Sequence, residues 1–437
     1  MKQAYRLIAL LSLAALLSAC GGGSGDSSAS AASHTFSSSS ANVVAISVAP
    51  GPASADYQTF NIPLVTVTVC EPGGSTCASI PDVLVDSGSS GLRLVKSVLT
   101  GAGITLTPMA DPANSSNTIA ECLPFADGSS WGPVATATVQ IGGESTTAAI
   151  PVQVIDDSST PSPAPPSGCG GSNSSSGSSM SPCADANLYN CVNAFDANGI
   201  LGVGTANQDC GGGCVGSGNA DNGVYWSCPP SGSTGTCSST DLALADQVAN
   251  PVASFSTDNN GVIIQLASIP STGATTGSGY LVFGIGTESN NALDGATVLT
   301  ANEEGNFITE FNGQQLTGSF IDSGSNALYF NDSSLDGSMC GTSGGAAQFY
   351  CPASTTSLTA TNQGESGATS DVSFQVANLN NISNSDFAID DVAGTAPAIA
   401  GFPTYFDWGV PFFYGRTIFI AIEGMSAAGT TGPYYAY

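Results

Sequence analysis

The chain has 437 residues, room for a sizeable core, and 41% of them are hydrophobic, too many for a disordered polymer. Five Lys and Arg stand against 33 Asp and Glu, and past Lys2 and Arg6 only three cations remain, a net −30 that argues against nucleic acid as a partner because phosphate recognition needs clustered cations. The single His, His34, sits in a Ser/Ala tract, which argues against a Ser-His-Asp triad, a Cys-His dyad or a His-ligated zinc and leaves carboxylate chemistry, or none, with no metal or cofactor expected.

Residues 1–19 carry Lys2 and Arg6, an apolar run from Leu7 to Leu17 and small residues before Cys20, the pattern of a lipoprotein signal peptide. Leu-Ser-Ala-Cys resembles a bacterial lipobox, which implies Cys20 as the lipidated first residue of the mature chain. The run is too short to read as a membrane-spanning helix. Gly21 after the Cys implies, by the habit of such lipoproteins, an outer-membrane anchor facing the periplasm or the surface. Residues 20–40, GGGSGDSSASAASHTFSSSS after the Cys, have no hydrophobic period and read as a flexible tether.

From Asn42 onward the pattern is β throughout. NVVAISVAP, LVTVTVC, DVLVDSG, ATATVQIGG, AAIPVQVID, GVIIQLASI, GYLVFGIG, GSFIDSG, DVSFQVANL and TIFIAIEG are short β-branched runs closed by Gly, Pro, Asp or Asn. Long helices are not expected. Residues 158–183 are a low-complexity excursion, and residues 205–240 a second Cys/Gly-rich insertion. With Cys20 assigned to lipid, twelve of the 13 cysteines remain, an even number that predicts disulfides in an oxidising compartment. Cys70 with Cys77 and Cys340 with Cys351 flank short loops and are the first pairs expected, followed by Cys210 with Cys214 and Cys228 with Cys237. Asp196-Ala-Asn-Gly and Asp258-Asn-Asn-Gly lack calcium-loop spacing and read as turns. Arg93 and Lys96 are expected to pair with carboxylates, which are abundant.

The informative feature is an internal echo: Val83-Leu84-Val85-Asp86-Ser87-Gly88-Ser89-Ser90 returns as Ser319-Phe320-Ile321-Asp322-Ser323-Gly324-Ser325-Asn326. Two apolar strands each end in Asp-Ser-Gly-Ser, a separation suited to two related halves that contribute one carboxylate each. An Asp at the tip of a buried strand is unfavourable unless its charge is satisfied or used. Ser87 and Ser323 supply hydroxyls for that purpose, while Gly88 and Gly324 permit close backbone approach. Two carboxylates brought together share a proton, and such a pair can activate a water while polarising a carbonyl.

These segments resemble the active-site segments of the pepsin-like aspartic peptidase superfamily, and the likeness extends to an uncharacterised family of bacterial lipoproteins that forms a branch of it. Asn198-Gly199-Ile200-Leu201-Gly202-Val203-Gly204 and Trp408-Gly409-Val410-Pro411-Phe412-Phe413-Tyr414-Gly415-Arg416 are similar to the Gly strands that support the two Asp loops. Phe125-Ala126-Asp127-Gly128-Ser129-Ser130-Trp131-Gly132 is similar to the flap hairpin, with Phe125, Gly128 and Trp131 as its candidate residues. The flap Tyr of the superfamily is replaced by Phe125, so its hydroxyl is missing unless the Trp131 N–H substitutes. The resemblance implies an all-β, bilobal fold, with a lobe over 41–288 carrying Asp86, a lobe over 289–437 carrying Asp322, and a cleft between them. It implies an endopeptidase acting on a peptide or protein, the membrane being reached through the lipid at Cys20. The competing expectation is an inactive pepsin fold that binds a peptide, glycan or protein. A two-carboxylate glycosidase ranks third, because the symmetric motifs give no reason for unequal acids.

Overall fold

A computed structural model describes residues 34–437 apart from 56–57, 75, 126–127, 159–160, 167–168, 170–190, 231–234, 342–344 and 400. Cys20 and the leader therefore lie outside the described residues. The described chain is all-β, its longest helix being the six-residue Lys96–Gly101. Each β-branched run picked out in the sequence forms a strand, because alternation puts one set of side chains into a core. Val65, Val67 and Val69 of Pro63–Cys70 are all within 4% of complete burial, and each such side chain contributes about 1.5–3 kcal/mol.

Six strands around the first Asp close on themselves. Cys77–Asp86 pairs with Pro63–Cys70, which pairs with Ser129–Ile141, then Ile150–Ile155, Ser90–Val95 and Gly199–Val203, which returns in parallel to Cys77–Asp86. Closure leaves the strand bearing Asp86 paired on both sides. A second, seven-stranded sheet runs Thr369–Val376, Thr356–Gln363, Phe307–Phe311, Gln314–Ile321, Asp407–Trp408, Leu328–Tyr329 and Ala393–Gly394, and Asp322 follows its fourth strand directly. Phe330, Phe374, Phe406 and Trp408 stack and cross beneath it, with centroids of Phe406 and Trp408 4.0 Å apart.

An antiparallel run joins the ends of the chain: Val43–Val48, Gly277–Phe283, Gly261–Leu266, Thr417–Ala421, Tyr434–Ala436 and Val298–Thr300. It draws strands from both sides of residue 288. Of the tether expected over 20–40, residues 34–40 are described, and they are seated on the fold. Phe36 is 5% exposed against Val43, Ile263, Val282 and Phe419, and His34 Nε2 lies 2.8 Å from the Ala292 carbonyl oxygen. One aromatic in a Ser tract has no periodicity, yet it is enough to seat the segment on an apolar sheet face.

Five disulfides join described cysteines: Cys70–Cys77, Cys210–Cys214, Cys228–Cys237 and Cys340–Cys351, as the spacing suggested, and Cys122–Cys169. The last ties the long hairpin to the 158–183 excursion; its partners are 47 residues apart, so spacing carries no signal for it.

Candidate active site

The two strands ending in the echoed motif deliver their tips to one point. Ser87 Oγ donates to the carbonyl of Ile321 at 2.9 Å, and Ser323 Oγ donates to that of Val85 at 2.7 Å. Each hydroxyl also accepts the backbone N–H of the other serine, at 2.8 Å for Ser323 N–H and 3.0 Å for Ser87 N–H. Four hydrogen bonds thus tie the carbonyl before each Asp to the serine after the other. Both serines are buried, so each contact is shielded from water.

This lock sets Asp86 and Asp322 face to face. The Gly88 N–H donates to Asp86 Oδ1 at 2.9 Å and to Asp322 Oδ1 at 3.1 Å, and the Gly324 N–H donates to Asp322 Oδ1 at 2.7 Å. Glycine is required there for space: neither residue has a positive φ. A Cβ on Gly88 would lie 2.5 Å from Asp322 Cγ, and one on Gly324 2.5 Å from Asp86 Oδ1. Ser89 Oγ donates to Asp86 Oδ2. Ser325 Oγ lies 2.8 Å from Asp322 Oδ2. Burial, the Asp86 charge and the hydrogen bond between the two carboxyls push Asp322 up to about 8. Two carboxyls joined by a hydrogen bond hold a proton between them. Asp86 is 6% exposed and Asp322 partly exposed, while Gly88 is exposed, so the pair is open on the Gly88 side.

Behind the first motif, Gly199–Val203 runs parallel to Val83–Asp86 with Ile200 opposite Leu84 and Gly202 opposite Asp86. A Cβ on Gly202 would sit 2.8 Å from the Gly91 nitrogen. Behind the second, Asp407 lies opposite Phe320 and Trp408 opposite Ile321, also in parallel. A Cβ on Gly409 would sit 2.1 Å from the Ala327 carbonyl oxygen. The first of the two segments, Gly199–Val203, is a strand as the sequence suggested; the second is not, because only Trp408 belongs to a strand, Asp407–Trp408, and the chain turns at Gly409 into a single 3-10 helix over Val410–Phe413 that the Pro411 ring favours.

The flap candidates separate. Asn114–Pro124 and Ser129–Ile141 form a hairpin closed by the Phe125 N–H donating to the Gly128 carbonyl at 2.6 Å. Phe125 packs edge-on against Phe195, in a cluster that includes Leu84 and Ile200 beside the first motif. Trp131 is fully buried with Cys122, Cys169 and Cys228, and its indole N–H donates to the Pro163 carbonyl at 2.9 Å. That indole does not stand in for a flap hydroxyl; the disulfide-bonded excursion engages it instead.

Arg93 and Lys96 pair with carboxylates as expected. Lys96 meets Asp156 at 3.0 Å. Arg93 is fully buried, with Nη2 2.8 Å from both Glu121 on the hairpin and Asp209 on the second insertion, and Nη1 donating to the Ser90 carbonyl at 2.9 Å. One cation thus binds the segment after the first motif to the hairpin and the insertion. Tyr225 Oη completes the cluster by donating to Asp209 Oδ1 at 2.6 Å, and burial together with the Glu121 charge pushes Asp209 well up. Asp196 and Asp258 are turn residues with φ of 49° and 52°. Among the described residues, no three His, Cys, Asp or Glu side chains are grouped as metal ligands, and no helix is long and apolar enough to cross a membrane.

One acid beside the pair was not singled out from the sequence. Asp407 is 5% exposed, and its Oδ2 lies 2.7 Å from Ser325 Oγ. Its residue stands immediately before the quoted Trp408-Gly409 segment. Aligning Ile200-Leu201-Gly202 with Asp407-Trp408-Gly409 would have exposed it as the polar member of an otherwise apolar position.

Fold and site together define an all-β protein with a serine-locked pair of aspartates, Asp86 buried and Asp322 half-buried, contributed by two copies of one motif. Residues 38–437 match the family described as "Protein of unknown function (DUF3443)", and the chain belongs to that family. Comparison with curated proteins gives no match.

Proposed function

We propose that the protein is an aspartic-peptidase-like hydrolase of bilobal, pepsin-like architecture, in which Asp86 and Asp322 activate one water against a peptide bond. The observation that carries this reading is the reciprocal Ser87/Ser323 lock, together with the Gly88 N–H that reaches both carboxyls, which sets Asp86 and Asp322 face to face. The ionised member takes a proton from water as the oxygen attacks the carbonyl carbon, and the protonated member polarises the carbonyl oxygen. Collapse of the diol passes a proton to the leaving nitrogen, the C–N bond breaks, and the pair again holds one proton. His, metal and a covalent intermediate take no part in these steps. The lipid at Cys20 would hold the enzyme on the bacterial envelope, at the outer membrane, with peptides or unfolded proteins as substrates.

A second reading, an inactive relative that binds a peptide, glycan or protein, draws on Phe125, which offers no hydroxyl to the site and packs instead on Phe195. The two separate on digestion of an unfolded protein by the full chain from about pH 2.5 to 7, a range that brackets titration of such a pair. The hydrolase reading expects cleavage that is lost in Asp86→Asn, in Asp322→Asn and with a statine-type inhibitor. A folded sample that cleaves nothing across the range contradicts it and leaves the binding reading.

A further inference from the structure

The two halves of the site differ at one position. Leu84 and Phe320 each lie two residues before their aspartate; Leu84 faces Ile200 across its parallel pairing, whereas Phe320 faces Asp407. The apolar Ile200 leaves Ser89 with one carboxylate, Asp86. In the other half Ser325 Oγ lies 2.8 Å from Asp322 Oδ2 and 2.7 Å from Asp407 Oδ2. A serine hydroxyl has one proton and can donate to only one of them. The other contact is a hydrogen bond only when that carboxyl carries a proton and donates it to Oγ. Two ionised carboxylates would leave bare oxygen against oxygen at that distance.

The surroundings of Asp407 favour the proton. Its Oδ1 has no hydrogen-bond partner among the described residues, an arrangement that strongly disfavours a buried charge. The titratable groups facing it are Asp322, Asp86, Tyr405 and Tyr435, all acids, and no described Lys, Arg or His forms an ion pair with it.

We propose that Asp407 is a third acid of the site, a positioning residue that shares its proton with Asp322 through the Ser325 hydroxyl and sets the pH at which the aspartate pair loses its last proton. In one arrangement Asp407 donates to Ser325 and Ser325 to Asp322. In the other, both protons have moved one oxygen along, Asp322 donates to Ser325 and Ser325 to Asp407. The three carboxyls hold two protons while the site is singly charged. Burial and the charges of Asp322 and Asp86 push Asp407 well up, in the same direction. The titration stands on the geometry alone; its effect on rate rests on the hydrolase reading.

The test is an isotope-edited infrared titration of the full chain, labelled with carboxyl-13C aspartate, comparing wild type with Asp407→Asn. The wild type is expected to carry one additional protonated carboxyl around neutral pH. The highest apparent pKa is expected to fall by at least about one unit in the variant, the coupling that marks groups titrating together. A difference signal that vanishes near pH 4, the ordinary aspartate range, overturns the proposal. Ser325→Ala keeps both acids and removes the bridge: the site's highest apparent pKa is then expected to move, and an unmoved titration also overturns it. With a peptide substrate, the upper limb of the wild-type rate profile should move down in Asp407→Asn. An Asp407-dependent titration in a protein that cleaves nothing upholds the shared proton and ends the hydrolase reading. Cleavage whose upper limb and titration are both unmoved ends the role of Asp407 alone.

Discussion

Arg93 offers the sharpest test of how the site is held, because one buried cation serves three segments. Its guanidinium reaches Glu121, Asp209 and the Ser90 carbonyl at 2.8, 2.8 and 2.9 Å, and none of the three charged side chains is more than 2% exposed. Arg93→Met keeps most of the apolar stem and removes the charge, leaving two carboxylates buried without a cation. Breaking a buried pair in this way costs about 3–5 kcal/mol. The loss has a pH signature. Asp209 already sits well up through burial and Glu121, and the Arg93 charge, followed by the Tyr225 hydrogen bond, pulls it back. A carboxyl raised in the folded state binds more protons there than in the unfolded chain, so stability falls as pH rises past the unfolded value of about 4. Without Arg93 that fall steepens. Urea unfolding of the disulfide-intact full chain should show the full deficit at pH 8 and a much smaller one at pH 4. Adding Glu121→Gln and Asp209→Asn should recover a large part of it. A deficit below about 1 kcal/mol at pH 8, the scale of an exposed pair, or one that is equal at pH 4, refutes the reasoning.

Two further predictions concern the pair itself. Asp322 is pushed up to about 8 in the fold from an ordinary 3.8, so its contribution to stability is fully present below about pH 4 and is lost as pH rises towards 8. Asp322→Asn should therefore unfold at higher urea than wild type at pH 8 and lose that advantage at pH 4; an equal midpoint at both values contradicts the raised carboxyl. Gly88→Ala places a Cβ 2.5 Å from Asp322 Cγ, where ordinary contact begins at 3.4 Å, so the two must part by about 0.9 Å. A displacement near 1 Å in a reacting geometry costs about 100-fold. The variant should keep its near-ultraviolet circular dichroism and lose cleavage by that order, and undiminished cleavage contradicts the face-to-face placement.

The strands were legible because β-branched alternation reports burial directly, and the aspartate pair was legible because the same eight-residue element occurs twice. Short-range disulfides followed from loop spacing. What escaped the sequence is long-range or very short. Arg93 was expected to find a carboxylate, but Glu121 and Asp209 lie 28 and 116 residues away, and nothing local selects them from 33 acids. Asp407 sits in a two-residue strand, too short for any period, and its meaning appears only when its register is set beside that of Ile200. Trp131 adjoins the hairpin turn in sequence, yet its N–H goes to Pro163 because the Cys122–Cys169 bridge brings the excursion over it.

Whether Asp86 and Asp322 act as one unit on one water, as proposed, is read most directly from the rate of cleavage of an unfolded protein substrate by the full chain, compared among wild type, Asp86→Asn, Asp322→Asn and the double variant. Groups that act as a unit lose in each single variant about what the double variant loses. Near-equal losses of at least about a thousandfold are expected in all three. Wild-type cleavage surviving in either single variant, or losses that multiply in the double, would contradict the proposal.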